Sequence, residues 1–256
     1  MKYLVIGAGG QNFFSYLGVL KKLENDIKNV EEYSGASCGS LISFLLCLGK
    51  TIDEIVEFGF KVEQSKLGKF KLKNLYSNFG FINSEEINDY LIELLECNPT
   101  FNDLDKYLYI SAYNLNFQKT EYFSKYTHPN MPVLKAVCMS MSIPLVMTSI
   151  KHNNHYYLDG GIFEHAPVCP FLGKKPSDIT IIQTEFNTDY YTEINTFKEF
   201  LISFFYKCQQ KVLDTYNHEL CHIINVKLMN SVSSIDFNMD DDTKWKLFFY
   251  GYNILI

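Results

Sequence analysis

The 256-residue chain has neither an excess of basic residues nor a long hydrophobic run, and each absence excludes a class of protein. Its 23 Lys and Arg residues against 29 Asp and Glu residues give a formal net charge of −6. This balance argues against a nucleic-acid-binding protein and against simple electrostatic docking on an anionic membrane, because both need a basic surface. The longest apolar run, Leu41 to Leu48, is too short to span a bilayer, and the run at the N-terminus is too short for a signal peptide.

The chain also lacks the cysteine spacings of a disulfide framework or a zinc knuckle. Its seven cysteines are scattered, odd in number and without a C-x-x-C pair. Such a pattern is typical of reduced thiols, so we expect a cytosolic protein.

Segments of strand and helix character alternate along the chain, which predicts an α/β fold with a mostly parallel sheet. We find no internal repeat, low-complexity segment or linker, and we therefore expect a single domain over residues 1–256. The predicted strands are Lys2–Ile6, a run ending at Tyr33, Tyr107–Asn114 paired with Lys119–Ser124, Tyr156–Leu158 and Asp178–Gln183. The predicted helices are Phe14–Leu23, one from Leu41, one capped by Thr51, a peripheral one from Asn83 or Ser84 to about Glu96, Met131–Met141, a long one from Thr196 to about Cys221, and Asp242–Tyr252.

The most informative stretch joins the second strand to an apolar helix and contains a serine between small residues. Gly35-Ala36-Ser37-Cys38-Gly39 matches G-x-S-x-G, the pattern of a nucleophile elbow. A sharp strand-to-helix turn exposes the hydroxyl, and the helix N-terminus behind it favours developing negative charge. The alternative interpretation is an ordinary glycine turn.

A second glycine-rich loop follows the first strand and precedes the first helix. Gly7-Ala8-Gly9-Gly10-Gln11 therefore offers free backbone N–H groups for a phosphate or an oxyanion. A dinucleotide-binding site is an alternative, but Asn12 occupies the position of its third glycine.

Two further patterns carry functional side chains. Asp159-Gly160-Gly161 follows a short strand and indicates either a carboxylate on a tight turn beside a site or a plain surface turn. His218-Glu219-Leu220-Cys221-His222 matches the H-E-x-x-H pattern of zinc peptidases. No third zinc ligand is evident, so the alternative for these two histidines is the polar face near the end of a long helix.

Taken together, these segments resemble the patatin-like phospholipases over roughly residues 3–185. Besides the glycine loop and the elbow, the resemblance rests on four segments: Leu17 to Glu24, the hairpin from Tyr113 to Ser124, Met139-Ser140-Met141-Ser142-Ile143-Pro144, and Asp159-Gly160-Gly161 with Ala166-Pro167-Val168. The abundance of Asn, Lys, Ile, Tyr and Phe suggests an AT-rich genome such as that of a large DNA virus.

The resemblance implies a three-layer α/β/α fold and a lipid acyl hydrolase with a Ser–Asp dyad. Ser37 would be the nucleophile and Asp159 the base, while the amides of Gly9 and Gly10, together with Gln11, would form the oxyanion hole. Neither a metal nor a cofactor is implied. The expected partners are a lipid substrate and, transiently, a membrane surface, but not nucleic acid.

The chain departs from the family pattern at four positions. Ala8 replaces a glycine, Asn12 replaces an Arg or Lys, Phe13 replaces another glycine, and His165 replaces an asparagine. Since the basic residue would lie near the developing oxyanion, Asn12 is expected to limit the rate. A catalytically weak or inactive lipid-binding homologue is therefore the alternative to an active hydrolase.

Overall fold

A computed structural model describes residues 1–185, 194–196, 200, 203, 221–228 and 239–256. The strands are β1 Tyr3–Ile6, β2 Glu32–Gly35, β3 Gly80–Ile82, β4 Tyr107–Asn114, β5 Lys119–Phe123, β6 Leu145–Met147, β7 Ile150–His152, β8 His155–Asp159, β9 Ile179–Glu185 and β10 His222–Lys227. The helices are α1 Phe13–Lys22, α2 Glu24–Ile27, α3 Cys38–Cys47, α4 Ile52–Lys61, α5 Leu72–Asn78, α6 Ser84–Leu95, α7 Val133–Ser140 and α8 Asp241–Tyr252.

The main sheet has the strand order β10-β9-β1-β2-β4-β8-β7, with β5 paired to β4. The five strands from β10 to β4 are parallel, whereas β8, β7 and β5 join antiparallel at the other side. This mixed, largely parallel sheet flanked by helices confirms the predicted α/β fold. Parallel strands end together at one edge, so the loops after β1 and β2 meet there.

The central strand β1 is buried on both faces, which explains its continuous apolar sequence. Leu4 and Ile6 face a large core shared with α1, α3, α4 and α7. Val5 faces a smaller cluster with Phe171, from a 3-10 turn over Cys169–Phe171, on the opposite face. The sheet therefore lies between two apolar layers.

Most predicted elements lie where expected. The hairpin β4–β5 pairs Asn114 with Lys119, and Thr51 caps α4 with a capping box completed by Glu54. The peripheral helix α6 begins at Ser84 and is capped by Asn83, as predicted, although it also buries Ile87 and Leu91.

The C-terminal third contains one correction. The long helix predicted from Thr196 to about Cys221 lies mostly outside the described residues, as do His218 and Glu219. His222, however, is the exposed first residue of β10, so placing it on a helix was wrong. Within the described ranges, no helix is both long and apolar enough to cross a membrane.

Candidate active site

The turn between β2 and α3 holds Ser37 in an unusual backbone conformation. Its φ is 52° and its ψ is −129°, a region that residues with a Cβ rarely adopt. The flanking glycines allow this geometry because the chain packs closely there. A Cβ at Gly35 would lie 2.6 Å from the Gly39 carbonyl oxygen, and a Cβ at Gly39 would lie 2.2 Å from the Ile6 carbonyl oxygen. The G-x-S-x-G pattern is thus required by the elbow.

Asp159 is the last residue of β8, and the structure brings it to Ser37. The carboxyl is almost fully buried, and its Oδ1 accepts a hydrogen bond from the Gly161 N–H at 2.7 Å. Burial raises the pKa of Asp159 from 3.8 to about 7, and hydrogen bonding by the Ser37 hydroxyl and the Gly161 N–H opposes this rise. Oδ2 is buried, and no donor among the described residues lies in ordinary hydrogen-bond geometry to it.

The turn after Asp159 requires both of its glycines. A Cβ at Gly160 would lie 2.1 Å from the Ser111 carbonyl oxygen, and a Cβ at Gly161 would lie 2.2 Å from the Ala8 Cβ. Because the turn packs against Ala8 in the glycine loop, Asp159 belongs to a buried site. The alternative of a plain surface turn does not fit this packing.

The C-terminal end of α7 contacts both the elbow and the aspartate turn. Ser140 Oγ accepts a hydrogen bond from the Ser37 N–H at 2.8 Å, and its carbonyl accepts one from the Gly160 N–H at 3.1 Å. The Ser142 carbonyl accepts one from the Asp159 N–H at 2.9 Å. The S-x-S segment, which the sequence offered only as part of a resemblance, thus holds the two loops in register with each other.

The glycine loop lies beside the residue that follows Ser37. Gly10 has a φ of 52°, which suits glycine, and a Cβ at Gly9 would lie 2.7 Å from the Tyr16 ring. Burial raises the pKa of the Cys38 thiol to about 12, while the N–H groups of Gly9 and Gly10 lower it by hydrogen bonding. Gly10 and Ser37 line the same pocket, and a Cβ at Gly39 would lie 2.5 Å from the Gly7 carbonyl oxygen, so the glycine loop adjoins the elbow.

The side chains of Gln11 and Asn12, at the end of the glycine loop, point in different directions. Gln11 lines the pocket beside Ser37, and neither atom of its buried amide has a hydrogen-bond partner among the described residues. Asn12 is completely buried, and its Nδ2 donates to Thr184 Oγ1 at 3.0 Å and to the Val226 carbonyl at 3.4 Å. Its side chain thus points toward β9 and β10. This orientation argues against the expectation that Asn12 limits the rate, which activity measurements would test.

An apolar pocket with a cavity volume of about 190 Å³ lies beside Ser37, which forms part of its wall. Its lining includes Gly10, Gln11, Phe13, Phe14, Leu41, Phe58, Leu67, Leu91, Met141, Ile143 and Met147. Phe13, which replaces a family glycine, is therefore part of the pocket wall. Among the described residues of this lining, Lys244 of α8 is the one cationic side chain, and its ammonium lies 3.1 Å from Asp241. The pocket suits an acyl chain. The sequence analysis did not identify Lys244 because α8 lies far along the chain from the other residues of the site.

His165 replaces the family asparagine and is buried behind the glycine loop. Its carbonyl accepts a hydrogen bond from the Ala8 N–H at 2.9 Å. Burial lowers the pKa of its imidazole to about 4, so the side chain is neutral near pH 7. His165 therefore supports the loop without adding charge to the site.

No group of three or more His, Cys, Asp or Glu side chains that could hold a metal occurs among the described residues. Since His218 and Glu219 fall outside these residues, the H-E-x-x-H hypothesis is not tested by the geometry.

Comparisons with known proteins identify the family of this chain. The model of the patatin-like phospholipase family matches residues 4–172, a range that includes the glycine loop, the elbow and the aspartate turn. The chain belongs to the patatin-like phospholipase family.

Two viral relatives extend the match beyond this range. An uncharacterized protein of Acanthamoeba polyphaga mimivirus is 30% identical over 270 residues, covering 98% of this chain and 91% of the relative. A protein of Invertebrate iridescent virus 6 named "Probable lipid hydrolase 463L" is 30% identical over 219 residues, covering 78% of this chain and 75% of the relative.

Among solved structures, VipD from Legionella pneumophila matches with a TM-score of 0.67 and 18% identity. The match covers 98% of this chain but 65% of the VipD chain, so this chain spans about two thirds of that protein. The likeness concerns the fold.

Proposed function

We propose that the protein hydrolyses carboxylic esters of phospholipids or related lipids through an acyl-enzyme on Ser37, with Asp159 as the base. The observation that carries the proposal is that Ser140 holds the Ser37 elbow and the turn after the buried Asp159 together, beside an apolar pocket that Ser37 lines. Family membership and the lipid hydrolase named among the viral relatives support the same chemistry.

In the first half of the reaction, Ser37 Oγ attacks the ester carbonyl carbon while Asp159 accepts the hydroxyl proton. The carbonyl oxygen becomes an oxyanion, which the N–H groups of Gly9 and Gly10 and the amide of Gln11 stabilise. The C–O bond to the alcohol then breaks, and Asp159 returns the proton to the departing oxygen. In the second half, Asp159 accepts a proton from water, the water attacks the acyl-enzyme, and Ser37 leaves with the proton.

The environment of Asp159 suits this role. A carboxylate with an ordinary pKa near 4 is a poor proton acceptor for a serine, whereas a pKa near 7 matches the working pH of a general base. Desolvation in the closed site produces this shift. Ser37 therefore needs no histidine partner.

The test combines covalent labelling with a double-mutant cycle. Wild type is expected to react with a fluorophosphonate probe and to hydrolyse a short-chain nitrophenyl ester, which reports the activated serine whatever the natural lipid. Ser37→Ala and Asp159→Asn should each lower turnover about 10⁴-fold or more, and the double variant should lose little further, because the two groups act in one step.

The matched controls are Ser65→Ala and Asp105→Asn, since both residues are exposed and lie outside the site. Both variants should retain labelling and turnover. Additive losses in the cycle, or a fully active Ser37→Ala, would refute the dyad. A folded wild type that is neither labelled nor active would favour an inactive lipid-binding homologue.

A further inference from the structure

The negative net charge of the chain hides a local excess of positive charge. Residues 64–84 carry four lysines and no acidic residue, in a chain that contains no arginine. The lysines alternate with apolar residues in the run Lys69-Phe70-Lys71-Leu72-Lys73. The net charge of −6 therefore does not describe this part of the surface.

The structure exposes the apolar residues of this segment together with the lysines. Helix α5 has no buried residue. Phe70, Leu72, Tyr76 and Phe79 are 68%, 71%, 85% and 50% exposed. A short helix normally depends on burying one face, so this exposure indicates an interaction surface for another molecule. We call the exposed group of Lys66, Lys69, Phe70, Lys71, Leu72, Lys73, Tyr76 and Phe79 the basic–aromatic surface.

Half of its positive charge has no carboxylate partner within the part of the chain that the structure describes. Lys66 lies 3.3 Å from Glu63, and Lys71 lies 2.8 Å from Glu86. Among the described residues, no carboxylate lies within ion-pair distance of Lys69 or Lys73. These two ammonium groups are available to an external anion.

The surface continues into the pocket and into a neighbouring hairpin. Leu67, between the first two lysines, lines the pocket that contains Ser37. Phe79 packs edge-on against Tyr156 with ring centroids 5.4 Å apart, and the Lys151 ammonium lies 5.6 Å from the centroid of the same ring. A fifth lysine therefore adjoins the surface on the β7–β8 hairpin.

We propose that the basic–aromatic surface docks the protein on an anionic lipid bilayer and presents lipids to the adjoining pocket. This inference rests on the proposed function, because it assigns a surface to the delivery of the same substrate. Aromatic and leucine side chains enter the interfacial layer of a bilayer, while lysines extend their ammonium groups to anionic headgroups. The alternation of the two residue types, with free cations beside the pocket, matches that chemistry.

The test measures co-sedimentation of the full chain with vesicles, in parallel with hydrolysis of the soluble nitrophenyl ester. Vesicles of phosphatidylcholine alone are compared with vesicles that also contain phosphatidylserine, at low and at high salt. Binding is expected with the anionic vesicles and should weaken as salt screens the lysines.

Lys69→Gln combined with Lys73→Gln should lower partitioning onto anionic vesicles roughly 25-fold, about fivefold for each lysine. The matched control combines Lys2→Gln with Lys28→Gln, because these exposed lysines precede β1 and β2 at the opposite edge of the sheet. The control removes the same charge and should bind like wild type. Leu72→Ser combined with Tyr76→Ser should weaken binding without changing ester hydrolysis.

The two proposals fail in different ways. Equal binding to both vesicle types, equal losses in both lysine pairs, or no binding at all would overturn the docking surface. Loss of ester hydrolysis in the Lys69 and Lys73 variant would overturn it too, because the effect would then not concern the membrane. A wild type that does not hydrolyse the ester would instead count against the proposed function. Ser37→Ala should bind vesicles as wild type does, because Ser37 is not part of the basic–aromatic surface.

Discussion

Replacing Asp159 by asparagine is expected to make the protein inactive but more stable near neutral pH. Asparagine has nearly the same shape and keeps an oxygen that can accept the 2.7 Å hydrogen bond from the Gly161 N–H. It removes the proton acceptor and the charge. The cost of a buried carboxylate disappears along with the function, which is the usual trade-off at an active site.

The size and sign of the effect follow from proton linkage. The carboxyl titrates near 3.8 in the unfolded chain, whereas burial raises its pKa to about 7 in the folded protein. Below pH 3.8 both states are protonated, and the carboxyl causes no difference between them. As the pH rises toward 7, the unfolded state ionises first and gains stability relative to the native state. A pKa difference of about three units between the two states lowers the free energy of unfolding by up to about 4 kcal/mol, and the full effect is reached above pH 7.

Urea unfolding of wild type and Asp159→Asn at about pH 4 and about pH 8 measures this loss. The variant should match wild type at the lower pH and exceed it by up to about 4 kcal/mol at the higher pH. Comparing the two proteins cancels other carboxyls that also titrate, such as Glu54 and Asp103. A variant that is less stable at the higher pH, or a difference that does not change with pH, would refute the reasoning.

Three further outcomes are expected. Asn12→Lys should lower the free energy of unfolding by about 4 kcal/mol or more, because it buries an ammonium beside Thr184, and it should not raise the rate of ester hydrolysis. A variant that is as stable as wild type in urea unfolding and faster in the ester assay would contradict this. Ser140→Ala leaves the Ser37 N–H without its acceptor, so stability should fall by about 1–3 kcal/mol and kcat should fall while KM holds; an unchanged kcat would contradict the positioning role. Protein purified without chelator should contain no stoichiometric zinc by elemental analysis, and about one zinc per chain, lost in His218→Ala, would revive the metal hypothesis.

The parts of the fold that sequence predicts well are those with a strong local pattern. β1 is an apolar run ended by glycines, the β4–β5 hairpin has alternating residues around a turn, and Thr51 forms a capping box with Glu54. Each signal lies within a few residues of the element it predicts. The same is true of the elbow, whose glycines are dictated by close packing of neighbouring backbone.

The parts that sequence did not reveal depend on contacts between distant segments. β3 and β6 have three residues each and exist as a pair, so neither has a pattern of its own. β10 is set by its parallel pairing with β9, which local helical periodicity does not report. The direction of Asn12 is likewise fixed by Thr184, far along the chain.

Strand β4 pairs with both strands that position the proposed dyad, β2 before Ser37 and β8 ending at Asp159. Gly35, just before the elbow, pairs with Ile110, and Asp159 pairs with Ala112 two positions further along the same strand. Residues inserted in a connection that does not contact the site leave this spacing unchanged. One residue added at Ser111 would shift the pairing by about 3.3 Å and turn the following side chains to the other face. The middle of β4 therefore tolerates no change in length.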